Sequence, residues 1–233
     1  TDDPAFRAEP LTADDSARWH EEALTLARQA RVYVEDFARS VMETSERGEW
    51  ARRLLDAWSE VENRVRAPIV SGIVKTRHHG DFHLGQVVVV NEDFFILDFE
   101  GEPLRSLDER RRKNSPLRDL AGLLRSFDYA RRAVERMVQP ARDVYALRHW
   151  HDQAVRSAVD GYRAAAATCP AVLQGNEPFG SLLEFFVLEK MLYEICYEAT
   201  NRPDWVDVPI EGLATLVLGE AISDEAPEPR SEP

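Results

Sequence analysis

Only two cysteines, Cys169 and Cys196, occur in 233 residues. They are too few and too far apart for a disulfide scaffold, so both are expected as buried thiols. No apolar run approaches the roughly 18 residues of a membrane span. No charged segment followed by an apolar one opens the chain, so secretion is not indicated and the cytoplasm is the expected location. Basic residues are in the minority, 29 against 42 acidic, for a net charge of -13. That balance argues against a general nucleic-acid binder, which carries a basic footprint, and disfavours anionic membranes. Glycine is sparse, 11 in all and nowhere clustered, and no internal repeat is visible.

An apolar content of 44% supports a substantial core in one large or two small domains of a globular protein. Residues 1–13 are polar, carry Pro4 and Pro10, and read as a linker. The chain begins at Thr1 rather than Met, which points to a processed or trimmed product. Asp14, Asp15 or Ser16 can cap a long helix whose stripe is Trp19, Ala23, Leu26, Ala30, Val34, Phe37 and Val41, ended by Gly48. A second stripe, Trp50, Leu54, Trp58, Val61 and Val65, stops before Pro68. Three short strands follow, Ile73 to Thr76, Val87 to Val90 and Phe94 to Leu97, the last two joined by a tight turn at Asn91-Glu-Asp93. After an arginine-rich segment, Arg110 to Lys113, helices are expected from Ser115-Pro116, over roughly Ala141 to Thr168 with a stop at Pro170, from Gly180 to Thr200, and from Pro209 to Ala221. The expected domain therefore spans 14–222, and the acidic, proline-bearing tail 223–233 reads as disordered.

The chemistry concentrates in one place. His79, Asp81, His83 and Gln86 fall within eight positions, and Asp98 and Glu100 close a strongly apolar run. In protein kinases an Asp that accepts the hydroxyl proton is followed five residues later by an amide that holds magnesium, and a further Asp lies past the next hairpin. Asp81, Gln86 and Asp98 have that order and spacing, with Gln in place of Asn. Phosphoryl transfer needs positioning and cations above all. A carboxylate and an amide are hard oxygen ligands that leave room for phosphates and water, while a separate carboxylate stays off the metal to orient the attacking hydroxyl. Glu100 either joins the metal's shell or bonds a neighbouring backbone. A zinc site on His79 and His83 is disfavoured by the lack of a cysteine partner or helical metalloprotease pattern.

The stretches His79-Gly-Asp-Phe-His-Leu-Gly-Gln86, Leu97-Asp-Phe-Glu-Gly-Glu-Pro103, Ser115-Pro-Leu-Arg-Asp-Leu-Ala-Gly122, Arg125-Ser-Phe-Asp-Tyr129, Glu189-Lys-Met-Leu-Tyr-Glu194 and Asn201-Arg-Pro-Asp-Trp205 resemble the maltokinases. These include kinase domains fused to trehalose synthases, and the family is similar in fold to the aminoglycoside phosphotransferases. The likeness runs from about Arg77 to Leu213. It implies ATP- and Mg2+-dependent conversion of maltose to maltose 1-phosphate, with Asp81 as the base and Gln86 and Asp98 on the metal. His79 would then brace the loop, and His83 would support Asp81 or the sugar.

The polar and aromatic face of Lys190, Tyr193, Glu194 and Tyr197, with Asn201, suits a sugar, whose hydroxyls need hydrogen bonds and whose rings pack on aromatics. Its bland rival is an exposed ion-paired face, and Trp205 fits either a pocket wall or the core. The expected fold is α+β and mostly α-helical: the C-terminal lobe of a protein-kinase-like fold, with a small β-hairpin carrying the catalytic loop at 77–103. The glycine-rich turn and strand lysine of a nucleotide-binding N-lobe are absent from this chain, so that lobe is expected upstream. Two rivals stay open: a kinase of another sugar such as glucosamine or an aminoglycoside, and a non-catalytic module docking on trehalose synthase.

Overall fold

The computed structural model describes residues 3–41, 45–70, 72–102, 105–137, 144–169, 172 and 175–219. Expectations resting on Thr1, Pro103, Ala141, Pro170, Ala221 and the tail 223–233 lie outside these residues. Among the described residues the architecture is mostly helical with two small two-stranded sheets.

Helix α1 (Ala13–Ser40) opens on Thr12 rather than on Asp14, Asp15 or Ser16. Thr12 Oγ1 accepts the Asp15 N–H at 3.2 Å and the Asp15 carboxylate accepts the Thr12 N–H at 3.1 Å, so the helix start is satisfied from both sides. Gly48 does not end this helix. It lies in the first turn of α2 (Glu46–Asp56), where its N–H bonds the Ser45 cap at 3.1 Å. The single stripe from Trp50 to Val65 is two helices, α2 and α3 (Trp58–Val65), parted at Ala57, whose ψ of 12° leaves the helical range.

The segment read as a linker is partly structured. Glu9–Pro10 (β1) pairs antiparallel with Val74–Lys75 (β2). Leu11 N–H bonds Ile73 O at 2.8 Å, and Lys113 reaches Pro4 O and Glu9. Strands β3 (Val87–Val90) and β4 (Asp93–Ile96) form the expected hairpin, turning on Asn91 and Glu92, both at positive φ. A short helix α4 (Leu107–Arg111), capped by Ser106, occupies the arginine-rich region. Then come α5 (Leu117–Met137), α6 (Val144–Ala166), α7 (Asn176–Asn201) and α8 (Asp207–Leu218).

Helix α7 is central: most of its surface is buried against α1, α5 and α8, its apolar residues in the core and Glu189, Glu194 and Glu198 in ion pairs. Alanines 23, 27 and 30 let α1 approach it closely, and Trp19 meets Phe186 edge-on at 5.2 Å. With Leu120, Leu192, Ile195 and Leu213 these residues form one contiguous core, each large apolar side chain contributing about 1.5–3 kcal/mol on burial. Cys169 is exposed and Cys196 half-buried, so neither is the fully buried thiol expected; burial still pushes the Cys196 thiol up to about 11. Among the described residues no helix is long and apolar enough to cross a membrane.

Candidate active site

The loop from His78 to Gln86 runs between β2 and β3 and is held from below by α5. Asp119 accepts the backbone N–H of His79 at 2.7 Å and of Gly80 at 2.9 Å. Ser126 Oγ accepts Leu84 N–H at 3.1 Å. Helix and loop touch so closely at Gly122 that a Cβ there would stand 2.6 Å from Phe82 O, which is why this helical position carries no side chain.

His79 is 6% exposed, and both its ring nitrogens are engaged. Nε2 donates to Leu97 O at 2.7 Å, and Nδ1 accepts Asp81 N–H at 3.3 Å. These bonds fix the orientation of the ring and tie the loop to the end of the hairpin. Phe99 and Phe82 flank the ring. His79 therefore has no lone pair to spare for zinc, and among the described residues no three His, Cys, Asp or Glu side chains converge on a metal position.

His83 Nδ1 accepts Gly85 N–H at 3.0 Å, leaving Nε2 3.9 Å from Asp81 Oδ2 and 3.5 Å from Gln86 Nε2. Burial lowers its pKa below the ordinary histidine range, the Asp81 carboxylate only partly opposing this. The Gln86 amide donates to Asp98 Oδ2 at 3.2 Å, so these two side chains meet across twelve residues. Asp98 sits at φ 60°, a left-handed conformation that turns the chain sharply out of the hairpin. Glu100 is exposed, and its backbone carbonyl accepts from Arg110 at 3.4 Å.

On the other side of Asp81 opens a cavity of about 430 Å³, lined by Asp81, His83, Lys190, Tyr193, Glu194 and Tyr197. Gly122, Ser126, Tyr129, Glu198 and Arg202 complete its wall. Tyr193 and Tyr197 stack with ring centroids 6.2 Å apart. Asn201 is not brought to the cavity; its amide donates to Tyr197 O at 2.9 Å on the exposed side of α7. Trp205 is not among the lining residues but backs the wall, stacking on Tyr129 under the Arg136 guanidinium.

Beneath the cavity lies a network of buried charges. Lys190 Nζ contacts Glu102 Oε1 at 2.6 Å and stands 3.7 Å from Asp81 Oδ1. Burial alone would lower the Lys190 pKa, but the Glu102, Glu194 and Asp81 carboxylates outweigh it and raise it. Burial likewise works against the Glu102 charge, and Lys190, Arg105 and Arg118 overcome it, holding that carboxyl far below its usual range. Arg105 and Arg118 both reach Glu189, which thus faces away from the cavity. Arg125, 1% exposed, bridges Glu194 at 2.9 Å and Asp128 at 2.7 Å. Burial raises the Glu194 pKa, with Arg125 and Lys190 pulling against it.

Sequence patterns point to no site role for Asp119, Glu102, Glu198, Tyr129, Ser126 or Arg202, although Glu198 and Arg202 continue the face of Glu194 at steps of four. Asp119 carries no such sign, because what it binds is backbone forty residues earlier.

No protein-family model matches this chain. It is 28% identical over 218 residues to a glucosamine kinase of Streptacidiphilus jiangxiensis, covering 92% of this chain and 45% of that protein. To a glucosamine kinase of Mycolicibacterium smegmatis it is 26% identical over 215 residues, 91% of this chain and 49% of the relative. Among solved structures it resembles a glucosamine kinase with a TM-score of 0.66 at 29% identity, over 92% of this chain and 48% of the other. A glucosamine kinase in complex with glucosamine, ADP and inorganic phosphate matches with a TM-score of 0.66 at 27% identity, over 91% of this chain and 50% of that one. These relatives support neither maltokinase specifically nor a trehalose synthase partner. The chain is thus similar, over nine-tenths of its length, to sugar kinases of the kinase-like fold, and it spans about half the length of the curated relatives it matches.

Proposed function

We propose that this chain is the catalytic and acceptor-binding lobe of an ATP-dependent amino-sugar kinase, with glucosamine as the acceptor. The observation that carries the reading is the position of Asp81, which lines the cavity and is linked to the Gln86 and Asp98 pair through His83, 3.9 Å from Asp81 and 3.5 Å from Gln86. An acceptor hydroxyl in the cavity would give its proton to Asp81 as its oxygen attacks the terminal phosphorus of ATP. The bond from that phosphorus to the bridging oxygen breaks, and ADP leaves.

Gln86 and Asp98 fit magnesium by donor chemistry, one carboxylate and one amide oxygen, with phosphates and water to complete the shell. Bound there, the ion would neutralise phosphate charge; His79 and Asp119 keep the loop in place whether or not it is present. An ammonium-bearing sugar needs carboxylates; Glu194 and Glu198 stand on the cavity wall, each also held by an arginine, Arg125 and Arg202, and Asp81 lies at its edge. The tyrosines offer a surface for its ring. The hairpin exposes Val89, Phe94, Phe95, Leu97 and Phe99 beside Asp98, an apolar surface suited to a nucleotide-binding lobe from upstream in the same polypeptide.

Maltose remains the second acceptor to try, favoured by the sequence stretches that resemble maltokinases. The test is ATP turnover by the complete polypeptide with glucosamine, maltose, glucose and an aminoglycoside. A kcat/KM for glucosamine at least about tenfold above the others is expected, a discrimination that buried polar recognition readily gives. Preference for maltose would reverse the acceptor assignment, and an active Asp81→Asn enzyme would sink the mechanism.

A further inference from the structure

Glu102 lies four residues beyond Asp98 on the same loop and is 3% exposed. One side of its carboxylate is held by Arg105, which is itself anchored by Glu189 at 3.0 Å, and Glu189 in turn takes Arg118 at 2.7 Å. The other side takes the Lys190 ammonium at 2.6 Å. Lys190 has a second carboxylate within reach, since Asp81 Oδ1 is only 3.7 Å from Nζ, just beyond hydrogen-bonding distance. A lysine stem is flexible, so its ammonium goes to whichever anion is better placed and better fixed. Glu102 is the better fixed of the two.

Resting on the kinase reading above, we propose that Glu102 is a positioning residue that holds the Lys190 ammonium off Asp81. A direct Lys190–Asp81 bond would occupy a carboxylate oxygen with a charge-assisted hydrogen bond, and that bond would have to break before a hydroxyl proton could be accepted. With Glu102 in place, Lys190 contributes its charge to the site without capping the base. The same carboxylate links the Asp98 loop to α7, so the metal side and the acceptor side of the site share one buried ion network.

Two measurements test this. A crystal structure of Glu102→Gln is expected to show Lys190 Nζ within hydrogen-bonding distance of Asp81; an ammonium left where it stands now overturns the proposal, whatever the activity. In kinetics with ATP and glucosamine, Glu102→Gln is expected to lower kcat by roughly 10- to 100-fold with little change in KM for ATP, the pattern of a lost base rather than lost binding. In a Lys190→Met background the same substitution should change kcat by less than about twofold, because the residue it restrains is gone. An equal loss with and without Lys190 would show that Glu102 acts on the fold alone. Glu102→Asp keeps the charge beside Arg105 but draws it back from Lys190, and should give a smaller loss in the same direction if Glu102→Gln does not fold. No turnover by the wild-type protein on any sugar would refute the kinase reading, while the Glu102→Gln structure would still decide the role of Glu102.

Discussion

Asp119 carries none of the expected chemistry, yet the loop that does depends on it. Replacing it with Ala strands the N–H groups of His79 and Gly80, each bonded to a charged acceptor, and should cost about 2–4 kcal/mol in a denaturant melt. Gly122 makes a cleaner test, since Ala is favoured over Gly by about 1 kcal/mol in a helix interior. Here the new methyl meets Phe82 O at 2.6 Å, so Gly122→Ala should destabilise the protein and displace the loop, measured as a lower melting temperature together with lost turnover. His78 gives a pH dependence. Burial lowers its pKa to about 4 from the ordinary 6.5, with Asp119 opposing and Arg118 and Arg77 assisting. The unfolded chain therefore takes up a proton that the folded one refuses. Stability from this group is complete above pH 6.5 and falls by about 3 kcal/mol as pH drops toward 4. Below about pH 4.5 the depressed carboxyls of Glu102 and Asp15 add losses of the same sign. Urea midpoints between pH 7 and 5 should show the slope, and His78→Asn should flatten it. Asp81, Gln86 and Asp98 stand out in the sequence as candidates because they crowd into twenty residues. Asp119 and Glu102 could not, since their partners are backbone amides and a lysine brought near only by folding.

At the scale of elements, apolar periodicity marks most of the helices but not a break that has no proline or glycine in it. Ala57 parts α2 from α3 with an ordinary residue, whereas Gly48, which looks like a stop, is tolerated in a first turn because Ser45 caps through it. The hairpin was visible in its β-branched and aromatic run, but its surroundings were not, because such a run predicts burial and the side chains here are exposed. Its turn places Asn91 and Glu92 both at positive φ, the geometry of a two-residue I′-type connection that prefers glycine at the second position. Glu92→Gly should therefore raise stability by up to about 1 kcal/mol, read as a higher urea midpoint with unchanged kinetics. No change, or a loss, would mean that the Glu92 side chain has a partner that outweighs its backbone cost.

For the whole molecule, the cavity wall and the hydrophobic core are joined through Arg125. Its guanidinium is desolvated on all sides, takes one carboxylate from α7 and another from its own helix, and lies so close to α8 that a Cβ on Gly212 would be 2.8 Å from Nη1. A lone cation cannot be left in that position, so α5, α7 and α8 cannot dock one at a time without exposing it again to water. The cavity side of the site should consequently have no low-energy opening of its own. In native-state hydrogen exchange, the amides of α7 around Glu194 should exchange only through global unfolding, while those of β3 and β4 exchange by local fraying. A pocket wired in this way selects its ligand by shape already present and meets it as a rigid surface, leaving the exposed hairpin side as the part of the molecule free to adjust.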